Sequence, residues 1–167
     1  MVGPGRRSTT DSLCAQPCAT PRTFHWFSND DGTERVYQEV VDAAWADGRT
    51  PHAAAGIIGD VLAKSRRAAS GMLRSASDLV PVRLHPMLWE LRWPLGRVGE
   101  FRMYHAEPGA DPDLVALRFH HKDTSGSTQG EIDSVQEGEM DVAQARYERR
   151  STDRWGHTRG CTGCLHP

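Results

Sequence analysis

The side chains best suited to chemistry lie on three short segments in the second half of the chain. Arg92, Arg102 and Arg118 carry guanidinium groups that stay charged at physiological pH, and each lies on a separate segment. Tyr104 and His120 each follow one of these arginines by two residues and can exchange protons. Guanidinium groups beside such side chains are typical of a site that binds an oxyanion or a phosphate. We predict that the five residues share one surface, the arginine face.

The three segments are predicted to be β-strands, because apolar and polar residues alternate along each of them. They cover Leu88 to Trp93, Glu100 to His105 and Leu114 to His121. Successive side chains of a strand point to opposite sides, so the arginines share one side and an apolar face forms on the other. Proline and glycine residues separate the strands, which predicts an antiparallel meander. The apolar face would consist of Trp89, Leu91, Trp93, Phe101, Met103, Val115, Leu117 and Phe119.

Helices and one further strand are expected to complete the fold. Residues 23–28 form a short aromatic run that is typical of a strand. Apolar residues at three- and four-residue spacing predict helices at Thr33 to Asp47 and Pro51 to Ala69, and a shorter one at Gly138 to Arg150. Residues 124–130 are predicted to be a linker. The predicted fold is α+β, with a curved antiparallel sheet of about four strands, two N-terminal helices packed on it and a C-terminal helix.

Length and composition favour a single domain. The chain has 167 residues, which is enough for one modest hydrophobic core. Residues 1–22 and 151–167 lack hydrophobic periodicity, so we expect disordered tails around a folded domain at residues 23–150. No apolar run reaches the roughly 20 residues that span a bilayer, and the N-terminus lacks the apolar core of a secretion signal. We therefore expect a soluble, cytoplasmic protein.

The charge balance argues against simple nucleic-acid binding. Acidic residues number 22 against 20 basic ones, and the sequence pI is about 6.4. Most domains that bind nucleic acid through phosphate contacts are basic. The acidic residues gather in the predicted helices and the last connection, so a cationic face can still exist within an acidic chain.

Short motifs on the predicted strands resemble the phage-derived toxin family of the RelE/HigB superfamily. They are Glu90-Leu-Arg92, Phe101-Arg102 and Phe119-His-His-Lys122, ahead of a C-terminal helix. The resemblance covers roughly residues 24–150 and implies the toxin of a bacterial type II toxin–antitoxin pair. Many such toxins cut messenger RNA on the ribosome without a metal or another cofactor. The implied partners are the ribosome, messenger RNA and a helix-turn-helix antitoxin.

Metal-free RNA cleavage needs three kinds of assistance: activation of a ribose 2′-hydroxyl, stabilisation of a phosphorane and protonation of the leaving oxygen. The candidate catalytic residues are Arg92, Arg102 and Arg118 for charge stabilisation, and Tyr104, His120, His121 or Lys122 for proton transfer. His121 stands where the family pattern has a lysine, and it has the parity of the apolar face. We therefore expect a structural role for His121 rather than for His120.

A second interpretation treats the same residues as structural. Arginines on a sheet surface are most often solvated, and histidine can end a strand without any function. Trp89 and Trp93 have the parity of the core, and Tyr147 lies on the apolar stripe of the last helix. The chain is then a non-catalytic or degenerate protein of the same fold that acts through protein partners. The acidic balance favours this alternative, whereas the parity of the arginines favours the endoribonuclease.

The four cysteines lie near the two ends of the chain. Thiolate and imidazole groups at such spacing can bind zinc, so one interpretation is a structural zinc site that joins the two tails. Free thiols in disordered segments of a cytosolic protein are the default expectation. The residues concerned are Cys14, Cys18, Cys161 and Cys164, with His157 and His166 beside the second pair.

Overall fold

The computed structural model describes residues 7–33, 35–96, 99–122, 124, 128–161 and 164–165. Within these residues the fold is α+β, as predicted, but the sheet has six strands and is mixed, not a four-stranded antiparallel one. The strands are β1 (Phe24–Trp26), β2 (Leu79–Pro81), β3 (Leu88–Pro94), β4 (Glu100–Ala106), β5 (Leu114–Lys122) and β6 (Cys164–Leu165). The α-helices are α1 (Arg35–Trp45), α2 (Pro51–Ala69) and α3 (Gln129–Arg149). Short 3-10 helices cover Thr9–Asp11, Leu13–Ala15, Ala46–Gly48 and Ser151–Gly156.

The strand order across the sheet is β2-β3-β4-β5-β1-β6. The predicted antiparallel meander is confirmed for β3, β4 and β5, and β2 extends it at one edge. At the other edge β1 runs parallel to β5, with Phe24 opposite Leu114, and β6 pairs antiparallel with β1. The expectation of a purely antiparallel sheet is therefore corrected. The chain between β1 and β5 contains α1, α2 and the strands β2 to β4, and a connection of that length permits a parallel neighbour, which a hairpin turn does not.

Helix α2 packs on the apolar face of the sheet, and α1 packs against α2 and β5. The Thr50 side chain caps α2 by accepting a hydrogen bond from the Ala53 N–H, and Pro51 occupies the first turn. Trp93 on β3 donates a hydrogen bond from Nε1 to the carbonyl of Asp60 on α2 at 3.1 Å. Trp89 and Trp93 are both buried, which confirms their predicted place in the core.

A β-bulge on β5 changes which residues share a face. Tyr104 pairs with Arg118, but the next residue, His105, pairs with Ala116. Leu117 is therefore the extra residue, and the alternation shifts by one position beyond it. Val115 was expected on the apolar face, and this prediction is corrected, because beyond the bulge Val115 has the parity of the arginine face.

Helix α3 begins more than two turns earlier than predicted. Thr128 and Glu131 form a capping box in which each side chain binds the backbone N–H of the other. The helix therefore starts at Gln129 and not at Gly138, and Gly130 belongs to it, not to a linker. Residues 125–127 of the predicted linker lie outside the described residues. The longer helix packs on β5 and β4 and reaches across the arginine face.

The described parts of the predicted tails pack against the sheet. Cys14 is fully buried, and the chain passes so close to Gly71 that an added Cβ there would lie 1.8 Å from the Gln16 carbonyl oxygen. At the other end Trp155 is buried and residues 164–165 form β6. The expectation of disorder differs from the structure for residues 7–22 and 151–161, because short polar segments can be ordered by packing that no local periodicity reveals. Residues 1–6, 162–163 and 166–167 lie outside the described part of the chain, and no described helix is long and apolar enough to cross a membrane.

Candidate functional site

The strand register places the residues of the arginine face side by side. Arg102 on β4 lies opposite Arg92 on β3 and opposite His120 on β5. Tyr104 lies opposite Arg118. The alternation that predicts a common face for these five residues is thus present on all three strands, and Lys122 at the end of β5 has the same parity.

Carboxylates occupy the space between Arg92 and Arg102. Glu90 is 2 % exposed and accepts hydrogen bonds from Arg92 Nε at 2.5 Å and from Arg102 Nη1 at 2.8 Å. Arg102 Nη2 donates to Glu100 at 3.2 Å. The second oxygen of Glu90 accepts a hydrogen bond from Gln136 Nε2 of α3 at 3.1 Å. The two guanidinium groups therefore bind acidic side chains of their own sheet.

Arg118 is engaged by two further carboxylates. Its Nη1 donates to Oε1 of Glu39 on α1 at 2.5 Å, and its Nε donates to Glu139 on α3. Arg146 of α3 donates to the same Glu39 oxygen at 2.7 Å, and the other oxygen accepts the Phe119 N–H at 3.0 Å. Partial burial opposes ionisation of Glu139, but the adjacent Arg118 guanidinium outweighs it and lowers the pKa of this carboxyl.

Helix α3 and the sheet enclose most of the arginine face. Arg102, Tyr104 and His120 are buried, and the side chain of Arg118 is 22 % exposed. Arg92 is the most open of the three arginines, with 37 % of its side chain exposed. A polymeric substrate would therefore reach Arg92 first and would need α3 to move before it met the other members of the face.

Burial also determines the proton chemistry of the face. Burial and the charge of Glu90 raise the pKa of Tyr104, and burial lowers the pKa of His120. The two rings stack with their centres 5.6 Å apart. At neutral pH the phenol keeps its proton and the imidazole is uncharged, so His120 can accept a proton but Tyr104 is a poor base.

A small cavity opens at the edge of the arginine face. Its volume is about 170 Å³, and the cavity is smaller than the 300–1,000 Å³ typical of ligand pockets. Its lining residues are Ser77, Arg92, Trp93, Pro94, Glu100, Phe101 and Arg102. Because Glu100 and Arg102 already bind each other there, the cavity suits solvent or a small ion better than a nucleotide.

His121 lies on the apolar face of the sheet, as its position in the alternation along β5 predicts. Its ring packs against Phe101 with the centres 5.0 Å apart. Gly99, at φ +109°, lets it approach, because a Cβ at that position would lie 2.1 Å from His121 Nε2. The structure thus separates His121 from the other six candidate catalytic residues.

Two groups of side chains offer metal-ligating atoms within the described residues. One consists of Cys14, His105 and Glu107, and the other of His25, His157, Cys161 and Cys164. Cys18 belongs to neither and donates weakly to the Ala69 carbonyl at 3.6 Å. The zinc site considered as the alternative to free thiols would have joined all four cysteines, but the structure separates Cys14 and Cys18 from the C-terminal pair. His166 lies outside the described residues.

The group around His105 is held by hydrogen bonds and charge. His105 Nε2 lies 3.4 Å from both Cys14 Sγ and Glu107 Oε1. The Glu107 carboxylate also binds the Ser12 hydroxyl and the Leu13 N–H. Burial opposes a charge on His105, but Cys14 and Glu107 outweigh it and raise its pKa to about 9. We interpret this group as an ionic anchor for the N-terminal segment, because hydrogen bonds and charge join Cys14, His105 and Glu107 to Ser12 and Leu13.

Several residues that shape these sites carry no signal in the sequence pattern. Glu39 and Glu139 look like ordinary helix-surface acids, and only the tertiary packing brings them to Arg118. His25 stands in a short aromatic strand, where one polar residue in an apolar run is a weak sign of a ligand. The ion pairs of Glu90 were also missed, although its spacing of two residues from Arg92 could have indicated them.

No protein-family model matches the chain, and no curated protein sequence matches it. The resemblance to RelE/HigB toxins therefore rests on the short strand motifs and the order of elements, and it remains a prediction.

Proposed function

We propose that the protein is a toxin of the RelE/HigB kind that stops growth by binding a protein target and does not cut RNA. The order of β1, α1, α2, the β3–β5 meander and α3 agrees with the order on which the resemblance rests. The strand motifs around Glu90, Arg102 and Phe119 support the same relation. The choice of binding over cleavage follows from the charges of the arginine face.

The observation that carries this choice is the neutralisation of the face. Metal-free cleavage of RNA depends on cations that are free to bind a phosphorane when its negative charge develops. Here four guanidinium groups meet four carboxylates, and most of the contacts are shielded from solvent. The cations are Arg92, Arg102, Arg118 and Arg146, and the anions are Glu39, Glu90, Glu100 and Glu139. A phosphate would have to displace an anion that the fold already holds in place.

A ribosome-dependent, metal-independent endoribonuclease is the second candidate function. The observation that favours it is the shared parity of Arg92, Arg102, Tyr104, Arg118, His120 and Lys122 on adjacent strands. Partly exposed Arg92 and Lys122 would make the first contacts with RNA. The face would become accessible to RNA only if α3 left the sheet and took Glu139 with it. Glu90 lies on β3 and would remain beside Arg92 and Arg102, so RNA would still have to displace it.

Controlled expression in bacteria distinguishes the two candidates, with growth and messenger RNA integrity followed together. The informative variant is His120→Phe, which keeps a ring against Tyr104 but removes the proton-transfer group. An endoribonuclease that depends on His120 would lose cleavage by about 10²–10⁴-fold. The matched control is Arg66→Ala with Arg67→Ala, two exposed arginines in the last turn of α2.

Binding without cleavage predicts growth arrest with intact messages, and equal arrest by wild type and His120→Phe. Cut messages that disappear in His120→Phe but persist in the α2 control would replace the proposal with the endoribonuclease. Normal growth with soluble, folded wild-type protein would remove the toxin role altogether. Folding of each variant is checked by circular dichroism before growth is compared.

A further inference from the structure

We propose that His25, His157, Cys161 and Cys164 form a structural zinc site that ties the C-terminal segment to β1. The four ligand atoms all lie within 4.8 Å of one another. Two thiolates and two imidazoles are a common ligand set for tetrahedral zinc, and four protein ligands close the coordination sphere. The site is separate from the arginine face and independent of the function proposed for it.

Three of the six distances between the ligand atoms are close to the edges of a zinc tetrahedron. His25 Nδ1 lies 3.5 Å from Cys161 Sγ and 3.4 Å from Cys164 Sγ. His157 Nδ1 lies 3.1 Å from Cys164 Sγ. Bonds of about 2.3 Å to sulfur and 2.0–2.1 Å to nitrogen give edges of roughly 3.3–3.8 Å in a tetrahedron.

Both histidines are oriented as zinc ligands by hydrogen bonds at their other ring nitrogen. His25 Nε2 lies 2.9 Å from the Trp155 carbonyl oxygen, which can only accept, so Nε2 carries the hydrogen. His157 Nε2 lies 3.0 Å from Oδ1 of Asp111. In each ring the free lone pair is then on Nδ1, which faces the cysteines. A backbone carbonyl or a carboxylate behind the histidine is the usual support of a zinc-bound imidazole.

The backbone before His157 adopts a conformation that needs an explanation. Arg154 and Trp155 have φ of +57° and +59°, in the left-handed region that residues other than glycine rarely adopt. This turn directs the Trp155 carbonyl at His25 and brings His157 beside it, with ring centres 5.2 Å apart. Such strain is retained where the surrounding structure depends on the geometry it creates. Here it positions one ligand and supports another.

The surroundings of the group also fit a structural ion. His25 is fully buried and His157 is 7 % exposed, while the two cysteines are half-buried. A cavity of about 200 Å³ adjoins them, lined partly by Arg22, Thr23 and Gly160, and gives an ion access from the surface. β6 consists of two residues only, so its pairing with β1 needs a stabilising contact beyond two ladder positions. Zinc would supply it.

The first test is the metal content of the purified full-length protein. We expect one zinc per chain by elemental analysis, and its loss in Cys161→Ser and in Cys164→Ser. Cys18→Ser is the matched control, because it removes a half-buried thiol outside the group and should keep the full zinc content. Wild-type protein that holds no more metal than Cys161→Ser, after purification without chelators, would overturn the proposal.

A second measurement avoids variants that fail to fold. Zinc is removed from the wild-type protein with a chelator, and Co²⁺ is then titrated into it. The visible absorption of tetrahedral Co²⁺ with thiolate ligands, saturating at one equivalent and displaced by Zn²⁺, is expected. Absence of that spectrum, with all four thiols reduced, would show that the cluster is only a set of thiol–imidazole contacts.

Asp111 provides a third test, because it acts through His157 and touches no metal. Asp111→Asn should weaken zinc binding by about 10–100-fold in competition with a chromophoric chelator. Asp111 also pairs with Arg154, so Arg154→Gln is the control that removes this ion pair but leaves the carboxylate on His157. An effect of Arg154→Gln as large as that of Asp111→Asn would refute the positioning role of the carboxylate.

Discussion

At the scale of single residues, Glu39 connects three elements of the fold beside the arginine face. One carboxylate on α1 accepts hydrogen bonds from Arg118 on β5, Arg146 on α3 and the Phe119 N–H. It is 6 % exposed, and the side chains of both arginines are at most 22 % exposed. Three elements thus depend on one buried charge.

Glu39→Ala should destabilise the protein by roughly 3 kcal/mol, because it leaves the Phe119 N–H without an acceptor and removes one charged acceptor from each of two partly buried guanidinium groups. Urea unfolding followed by fluorescence measures the change. Glu137→Ala, on the exposed side of α3, should change the free energy of unfolding by no more than about 0.5 kcal/mol. Equal stability of the two variants would contradict the role assigned to Glu39.

His105 predicts how stability depends on pH. Its pKa of about 9 in the folded protein lies above the ordinary value of 6.5, so protonation of its imidazole favours folding. This contribution is complete below about pH 6.5 and is lost as the pH rises through 9, with a total on the order of 3 kcal/mol. Urea titrations between these pH values should show the decline. His105→Gln should abolish it, and His52→Gln, at an exposed position of α2, should not. A wild-type slope that survives in His105→Gln would disprove the ionic anchor.

The residue pattern predicts the arginine face but not its partners. Strand alternation is a local rule, so it places Arg92, Arg102 and Arg118 correctly from spacing alone. Glu39 is separated from Arg118 by 79 positions, and no local rule pairs them. His25 and Cys164 are 139 positions apart, so no local rule pairs them either. The side chains that bind the arginines come from distant parts of the chain. Their positions depend on tertiary packing, which local residue spacing does not predict.

At the scale of elements, α3 determines how much of the arginine face is open. The helix begins at the capping box of Thr128 and Glu131 and lies over β4 and β5, where Gln136 and Glu139 contact the face. Most residues in the first half of α3 are exposed to solvent, so packing stabilises this half little. The N-terminal cap is therefore an important part of its stability. Weakening the Thr128–Glu131 cap should therefore expose more of the arginine face.

Thr128→Ala should lower the free energy of unfolding by about 1 kcal/mol, because the N–H of Glu131 loses its side-chain acceptor. The same variant should speed amide hydrogen exchange in the first turns of α3. Ser134→Ala, at an exposed interior position of this helix, serves as the control and should be neutral or slightly stabilising. A larger loss in the control than in Thr128→Ala would show that capping does not hold the helix start.

Elements with strong periodicity were predictable, whereas the shortest elements were not. The predicted bounds of α2 agree with the structure, and those of β3, β4 and β5 agree within one residue. β2 and β6 have three and two residues, which is too short for any alternation to be visible. They exist because neighbouring strand edges offer free hydrogen-bonding groups. The early start of α3 was visible in principle, since Thr128 and Glu131 have the spacing of a capping box.

At the scale of the whole molecule, the segment before β1 is part of the folded body. Arg7 donates to the Leu88 carbonyl at 2.8 Å and lies over the Trp89 ring at 4.5 Å. The Cys14 carbonyl accepts a hydrogen bond from the Leu73 N–H at 2.9 Å. The segment therefore joins the chain just after α2 to β3, and ordered packing extends beyond residues 23–150.

Gly71 tests this close packing. Gly71→Ala should destabilise the protein by at least about 1–3 kcal/mol, because φ is +70° and the new Cβ would collide with the Gln16 carbonyl. Gly59→Ala, in the exposed interior of α2 with open space around it, should instead stabilise by up to about 1 kcal/mol. Melting temperatures of the two variants give the comparison. Opposite signs are expected, and a Gly71→Ala melt equal to wild type would show that the N-terminal segment does not lie there.

The position of β1 between β5 and β6 has a consequence for synthesis on the ribosome. Phe24 pairs with Leu114 on one side and with Leu165 on the other. β1 is synthesised first, and both of its edges stay unpaired until β5 and β6 have emerged from the ribosome. Helices α1 and α2 can form while translation continues, but the sheet closes only after residues 164–165 leave the exit tunnel. Until then the nascent chain exposes an aromatic strand that chaperones, or a second nascent copy, can bind.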